Sequence, residues 1–173
     1  MANNTKNVMI VGVGGQGSLL ASKLLGRLLL TKGYDIKVSE VHGMSQRGGS
    51  VVTYVRFGDK VYSPIIDKGE ADFIISFELL EAARYTEYLK KDGRIITNTQ
   101  KVNPMPVITG AASYPESLDE KMAAMGISGE IAEEKRLRNG TGNATFRNDL
   151  IDAVFNLTEE QMKQGVHYEI YKR

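Results

Sequence analysis

Residues 7–17 read NVMIVGVGGQG, a short apolar run that ends in a cluster of four glycines. An apolar run of this length that stops at glycine is typical of a strand buried on both faces of a sheet. Gly12, Gly14 and Gly17 fit the pattern G-x-G-x-x-G, in which a tight turn leads from a strand directly into a helix. We therefore predict a strand, a glycine loop and the start of a helix, in that order.

The residues that follow predict an α/β unit. Leucine and alanine are dense over residues 16–32, where Leu20, Leu24 and Leu28 are spaced as one buried helical face that Leu25 and Leu29 widen. Gly33 is expected to end the helix. Residues 36–41 resume as a second strand. Strand, helix and strand within so few residues form a βαβ unit, whose two strands should run parallel.

The segment after the second strand indicates a departure from simple βαβ alternation. Residues 51–57 alternate apolar and polar side chains, and a Gly-Asp link separates them from residues 60–63, which is the pattern of an antiparallel hairpin. Further strands are predicted at 72–77 and 94–98. Helices are predicted at 78–89 and between a capping box that begins at Ser117 and a stop at Gly126.

Together these elements predict an α/β fold: a Rossmann-like three-layer domain with a mostly parallel sheet and an inserted β-hairpin. We assign residues 7–126 to this Rossmann-like domain and residues 127–173 to a C-terminal helical extension of the same domain. The apolar positions between 146 and 157 line one helical face and support that extension.

Composition excludes several classes of protein. The chain has 173 residues, with 22 lysines and arginines against 21 acidic residues, so its net charge of +1 argues against a dedicated nucleic-acid binder. The longest apolar stretch is far shorter than the roughly 18 residues of a membrane span, and a cytoplasmic location without membrane partners is expected. Cysteine is absent, which rules out a cysteine nucleophile and a cysteine-ligated iron–sulfur cluster. With only two histidines, no metal site is expected.

The glycine loop is suited to binding an anion. The free N–H groups and the dipole at a helix N-terminus favour phosphate, and glycine lets the ligand approach the backbone. Glu40 lies near the roughly 20-residue spacing that a ribose-binding acid has in NAD proteins. Against NAD, few residues follow the last predicted strand, which leaves little room for a second nucleotide-binding half. The alternative is that the glycines serve helix–strand packing alone.

The second concentrated signal is HGMSQRGGS, residues 42–50. It leaves the carboxyl end of the second strand, where ligands bind in open α/β sheets. Gly48 and Gly49 would let the backbone approach a ligand, and Arg47 could bind a phosphate or carboxylate in a forked geometry. Ser45, Gln46 and Ser50 could donate hydrogen bonds. The alternative is an ordinary turn with a surface charge. His42 has no second acid or base beside it, so we assign it an orienting or interface role rather than that of a general base.

Four motifs in order identify a family. They are VGVGGQG at 11–17, SEVHGMSQRGGS at 39–50, VYSP at 61–64 and EAD at 70–72. Together they resemble the gamma-type subunit of 2-oxoacid:ferredoxin oxidoreductases, and the HGMSQRGG stretch is most similar to the small beta subunit of the indolepyruvate enzymes. A free-standing NAD(P)-binding oxidoreductase and a structural scaffold without ligand are the alternative functions.

The resemblance implies that the catalytic cofactors belong to a different subunit. In that family, thiamine diphosphate and the iron–sulfur clusters belong to a large catalytic partner subunit, which also delivers electrons to ferredoxin, and the small subunit helps to bind coenzyme A. The implied reaction is the oxidative decarboxylation of an aryl-pyruvate-like 2-oxoacid to an acyl-CoA, and no catalytic residue is expected in this chain. The residues to which the family's coenzyme A role is carried over are Gly12, Gly14, Gly15, Gln16, Gly17, Ser45, Gln46, Arg47, Gly48 and Gly49.

The chain departs from the family pattern after Gly126. The resemblance implies another apolar strand there, but residues 130–136 are mostly charged and residues 139–143 are rich in glycine and asparagine. We therefore expect the last strand of the sheet to be missing or altered.

Overall fold

The computed structural model describes residues 4–43, 48–126 and 129–132. The strands are β1 (Lys6–Val13), β2 (Asp35–His42), β3 (Ser50–Gly58), β4 (Ala71–Ser76), β5 (Leu89–Asn98) and β6 (Gly129–Ala132). The helices are α1 (Ser18–Thr31), α2 (Leu79–Arg84), α3 (Met105–Ile108) and α4 (Leu118–Ala124), with one turn of 3₁₀ helix at Thr86–Tyr88.

The six strands form one mixed sheet in the order β2-β3-β1-β4-β5-β6. β1, β4, β5 and β6 pair in parallel, whereas β3 is antiparallel to both of its neighbours, β1 and β2. Leu25 and Leu29 of α1 join the core on one face of the sheet, and Leu79 of α2 and Leu118 of α4 join the core on the other. The predicted α/β, three-layer, mostly parallel fold is confirmed.

The inserted hairpin is present, and residues 51–57 lie in the strand β3 as predicted, but the other strand of the hairpin was predicted wrongly. β3 pairs with β2 before it, through the loop at residues 43–49, and residues 60–63 form no strand. β3 has no free edge for them because β1 occupies its other side. Residues 60–63 are instead held by side chains: the Val61 N–H donates to Asp35 Oδ2 at 2.9 Å, and the Arg56 guanidinium donates to the Ser63 carbonyl at 3.2 Å.

The predicted βαβ unit is altered by the same strand. β1 and β2 run in the same direction, as expected, because both are antiparallel to β3. They do not pair with each other, since β3 lies between them. The end of the loop after β2, at Gly48 and Gly49, lies beside the end of β1, because β3 begins directly after it and pairs with β1.

Helix α1 is found where it was predicted, and Leu25 and Leu29 are buried as expected, but the centre of the buried face was assigned wrongly. Leu20 and Leu24 are 55% and 46% exposed, whereas Ser22, Leu25 and Gly26 face the sheet. A Cβ on Gly26 would lie 3.9 Å from Val38 of β2, so small side chains let the helix approach the sheet closely. Packing distance, rather than the leucine repeat, decides which face is buried.

Two further boundaries differ from the prediction. Helix α2 ends at Arg84, and Leu89 already belongs to β5 because it pairs with Ala71 of β4. The capping box at Ser117 does not form: α4 begins there, but Ser117 has a φ of 51° and its side chain makes no capping hydrogen bond. An N-cap side chain reaches the first-turn N–H groups from extended backbone, which Ser117 does not have.

The last strand of the sheet, which was expected to be missing or altered, is present. Gly129–Ala132 pair in parallel with β5, from Ile95 to Asn98, so the sheet keeps a short sixth strand. The predicted helical face at 146–157 lies outside the described residues, and the division at residue 126 stays a prediction. Within the described residues no helix has the length and apolar character needed to cross a membrane.

Candidate functional site

The glycine loop joins the carboxyl end of β1 to the N-terminus of α1. Gly15 and Gly17 have φ angles of 99° and 90°, in the left-handed region that favours glycine, and these two residues turn the chain between strand and helix. Gly17 is the N-cap of α1 and has no side chain to accept the first N–H groups, and the first turn contains no acidic residue. The helix therefore presents its positive end to the edge of the sheet.

The Gln16 side chain stabilises the conformation of this loop through hydrogen bonds. Its Oε1 accepts the Val13 N–H at 2.7 Å, and its Nε2 donates to the Phe77 carbonyl at 2.9 Å and to Gln100 Oε1 at 3.1 Å. A Cβ on Gly12 would lie only 2.9 Å from Gln16 Oε1 and 3.1 Å from Phe77 Cβ. Gly12 therefore makes room for the Gln16 side chain, and both residues shape the loop rather than lining its open side.

The second glycine loop meets the first through backbone hydrogen bonds. The Gly14 N–H donates to the Gly49 carbonyl at 2.9 Å, and the Gly48 N–H is 3.5 Å from the Gly14 carbonyl. Ser50, the first residue of β3, lies opposite Val13, the last residue of β1. The structure thus brings together the glycines of the two loops that the sequence analysis singled out.

Ser45, Gln46 and Arg47 lie outside the described residues. His42 is exposed at the end of β2, where its Nδ1 is 3.2 Å from the carbonyl oxygen of its neighbour Gly43.

In NAD proteins the strand that carries the ribose-binding acid lies beside β1, but the strand that carries Glu40 does not. Glu40 lies in the edge strand β2 opposite Thr53 of β3, which in turn lies opposite Ile10 of β1. Glu40 is therefore separated from β1 by a whole strand. Within the described part of the chain, Glu40 Oε2 and Thr53 Oγ1 are buried without a hydrogen-bond partner.

Sequence reasoning missed two buried glutamates that follow β4. Glu78 is 1% exposed and caps α2: its Oε2 accepts the Glu81 N–H at 2.8 Å. Its Oε1 accepts the Val102 N–H at 3.1 Å and the Tyr114 hydroxyl at 2.5 Å. Burial, and then the bond to Glu78, raise the pKa of the Tyr114 hydroxyl, so it stays protonated as a donor.

Glu81 lies one turn further along α2 and reaches the second loop. Its Oε2 accepts the Ser50 hydroxyl at 2.5 Å, and its Oε1 is 3.3 Å from Arg84 Nε. Burial raises the pKa of the Glu81 carboxyl, and the contacts with Ser50 and Arg84 oppose that shift. The signal that could have revealed both glutamates is their position directly after a parallel strand, where the residues of α/β sites gather.

The described residues contain no cluster of three side chains that could hold a metal ion. Helix N-terminus, glycine backbone and hydroxyl groups together suit a phosphate group.

Comparison with known proteins shows the family to which the chain belongs. Residues 7–167 match the model of the pyruvate ferredoxin/flavodoxin oxidoreductase family. The chain belongs to this family. Among its curated relatives, indolepyruvate oxidoreductase subunit IorB of Pyrococcus horikoshii is 55% identical over 95% of this chain and 86% of its own length. The IorB subunit of Thermococcus kodakarensis is 44% identical over the same shares.

Solved structures of pyruvate ferredoxin/flavodoxin oxidoreductase family members share the fold. Pyruvate oxidoreductase subunit PORC of Thermotoga maritima matches with a TM-score of 0.59 and 16% identity, over 95% of this chain and 86% of that one. The gamma subunit of a keto/oxoacid ferredoxin oxidoreductase from Geobacter sulfurreducens gives 0.56 and 17%, over 88% and 77%. The curated relatives are named as subunits, so the prediction of a small subunit of a 2-oxoacid:ferredoxin oxidoreductase is confirmed.

Proposed function

We propose that this subunit holds the phosphate groups of coenzyme A at the edge of the sheet where the two glycine loops meet. The observation that carries the proposal is the pair of backbone contacts from Gly14 to Gly48 and Gly49, which assemble both loops at the N-terminus of α1. Coenzyme A carries several phosphate charges, and a helix N-terminus flanked by glycine backbone is suited to such anions.

The residues of the site have different roles in this proposal. The backbones of Gly14, Gly15, Gly17, Gly48 and Gly49 approach the phosphates, and Ser45, Gln46 and Arg47 supply side-chain donors and positive charge. Gly12 and Gln16 act indirectly, because the Gln16 side chain is bonded to Val13, Phe77 and Gln100. His42 orients the loop or contacts the partner.

We further propose indolepyruvate, or a similar aryl pyruvate, as the 2-oxoacid. The two relatives at 55% and 44% identity are named for indolepyruvate, which supports this substrate. The acid would lose carbon dioxide, its acyl group would pass to the thiol of coenzyme A, and the electrons would pass to ferredoxin. Thiamine diphosphate and the iron–sulfur clusters, which supply the decarboxylation and electron transfer, are assigned to the partner, since this chain has no cysteine to bind a cluster.

The coenzyme A proposal is tested with Arg47→Ala in the complex of the full chain and its catalytic partner subunit. We expect the apparent KM for coenzyme A to rise about tenfold or more, the size of one lost hydrogen bond to a charged group. The KM for the 2-oxoacid should stay unchanged, because that substrate is assigned to the partner. Steady-state rates of ferredoxin reduction give both constants.

Arg27→Ala is the matched control, since Arg27 is an exposed arginine on α1. It should leave both KM values as they are. A complex with Arg47→Ala that keeps the wild-type dependence on coenzyme A would contradict the proposed role of this loop.

A further inference from the structure

Ser50 occupies the point where the two glycine loops and the sheet meet. It follows Gly49 directly, and it lies opposite Val13, the residue before the glycine loop. Its hydroxyl donates to Glu81 Oε2 at 2.5 Å and is 3.2 Å from the Tyr85 hydroxyl. One side chain therefore ties the end of the second loop to helix α2.

The position of Glu81 is itself fixed by its surroundings. Glu81 is 5% exposed, and its own N–H is bonded to Glu78 Oε2 at 2.8 Å. The helix that carries it is fixed on the sheet by buried Leu79, whose N–H donates to the Gln100 carbonyl at 3.0 Å. A carboxylate on such a helix has little conformational freedom, so its hydrogen bond restricts the position of the Ser50 hydroxyl.

A buried acid at this position is unfavourable for stability alone. Removing a carboxylate from water costs free energy, and a side chain such as leucine would pack there without that cost. Burial accordingly raises the pKa of Glu81. What the acid supplies in return is a charged acceptor for the loop residue Ser50, which lies 31 positions away in sequence.

The negative charge is compensated where it faces the solvent. Arg84 Nε is 3.3 Å from Glu81 Oε1, on the oxygen that does not bind Ser50. An anion at the glycine loops therefore meets a carboxylate that is already paired, and the repulsion is reduced.

We infer that Glu81 is a positioning residue that fixes the end of the second glycine loop through Ser50 and so sets the affinity for coenzyme A. The inference rests on the proposed function, since it assumes that this loop binds coenzyme A. It adds a residue from a different element, α2, which touches no ligand itself.

The test uses Glu81→Ala, Ser50→Ala and the double variant in the complex with the partner subunit. Each single variant should raise the apparent KM for coenzyme A about tenfold, because each removes the same hydrogen bond to a charged group. The kcat at saturating coenzyme A and the KM for the 2-oxoacid should not change. In the double variant the second substitution should add less than about twofold, because coupled residues are not additive.

Conservative variants and a matched control separate positioning from general damage. Glu81→Gln keeps only a neutral acceptor for Ser50, so it should lose less affinity than Glu81→Ala, and Ser50→Thr keeps a donor, so it should retain most of the wild-type affinity. Glu87→Ala removes an acid in the 3₁₀ turn that follows α2, where the side chain is half exposed and paired with Lys68, and should change neither KM. Ser50→Ala carries the test if Glu81→Ala fails to fold.

The outcomes distinguish this inference from the proposed function. If Arg47→Ala raises the KM for coenzyme A but Ser50→Ala does not, Glu81 has no positioning role and the proposed function stands. If neither variant changes that KM, both ideas are wrong. Independent, additive effects of Glu81→Ala and Ser50→Ala would also overturn the inference, because the two residues would not act through one contact.

Discussion

Asp35, at the start of β2, holds a segment that forms no strand of its own, residues 60–63, beside the sheet. Its Oδ2 accepts the Val61 N–H at 2.9 Å and its Oδ1 accepts Lys37 Nζ at 2.9 Å. These contacts hold residues 60–63 beside the sheet although β3 has no free edge for them. The Val61 N–H and then Lys37 lower the pKa of the Asp35 carboxyl to about 2.

This pKa leads to a prediction about stability and pH. A carboxyl whose pKa is lower in the folded chain than in the unfolded chain stabilises the fold above the unfolded value. That contribution is lost as the pH falls from about 4 to about 2. Asp35→Asn should therefore lower the free energy of unfolding near neutral pH, and its difference from wild type should shrink over that acid range.

Urea unfolding of the full chain at a series of pH values measures this difference. Asp59→Asn, at an exposed aspartate in the turn after β3, is the matched control. A deficit of Asp35→Asn that stays constant from neutral pH to pH 2 would show that the carboxylate charge has no part in holding Val61.

At the scale of elements, α1 shows what determines a helix and its ends. The glycine loop before it and Gly33 after it were both recognised in the sequence, and the helix ends at Thr31. Gly33 has a φ of 84°, and its N–H donates to the Leu30 carbonyl at 3.0 Å. A glycine in this conformation is a common way to end a helix.

Gly33→Ala should destabilise the chain by about 1 kcal/mol, because a residue with a Cβ is strained at positive φ. Nothing lies within 4 Å of the added Cβ, so the cost is conformational and not steric. Thermal or urea unfolding of the full chain measures it.

Gly43→Ala is the control for that prediction. A Cβ on Gly43 also meets nothing within 4 Å, but Gly43 does not have a positive φ in the strained range. Its unfolding should match wild type within about 0.5 kcal/mol, as for surface substitutions in general. Equal stabilities of the two variants would contradict the backbone explanation.

The elements also show where sequence patterns stop being informative. The leucine repeat of α1 predicted the helix and its buried Leu25 and Leu29, but it centred the buried face on leucines that are exposed. In the same way, Leu89 belongs to β5 because Ala71 is available to pair with it. Both outcomes depend on neighbours that are distant in the chain.

At the scale of the whole molecule, the chain brings the glycines of its two loops together at one edge of an α/β sheet. It contains no cysteine, and its relatives are named as subunits of oxidoreductases. We therefore predict that the isolated chain reduces no ferredoxin with indolepyruvate and coenzyme A, and that adding the catalytic partner subunit restores the reaction.

Ferredoxin or dye reduction, followed by absorbance, provides the measurement. The partner alone is the necessary control, because the small subunit is required only if the partner alone is slower. Turnover by the isolated chain would show that it carries a redox centre, and nicotinamide-dependent turnover would favour the free-standing enzyme instead.

The sequence by itself determined the strand–glycine loop–helix unit, the α/β class, the family and the two glycine loops, because each depends on neighbours within a few residues. Only the tertiary structure decided that β3 lies between β1 and β2, that Gln16 braces the loop from inside, and that Glu81 reaches Ser50. These features join residues separated by up to 84 positions, as in the bond from Gln16 to Gln100. Such contacts depend on which strand edges and buried acceptors remain available after the chain has packed, and no local pattern of side chains records that.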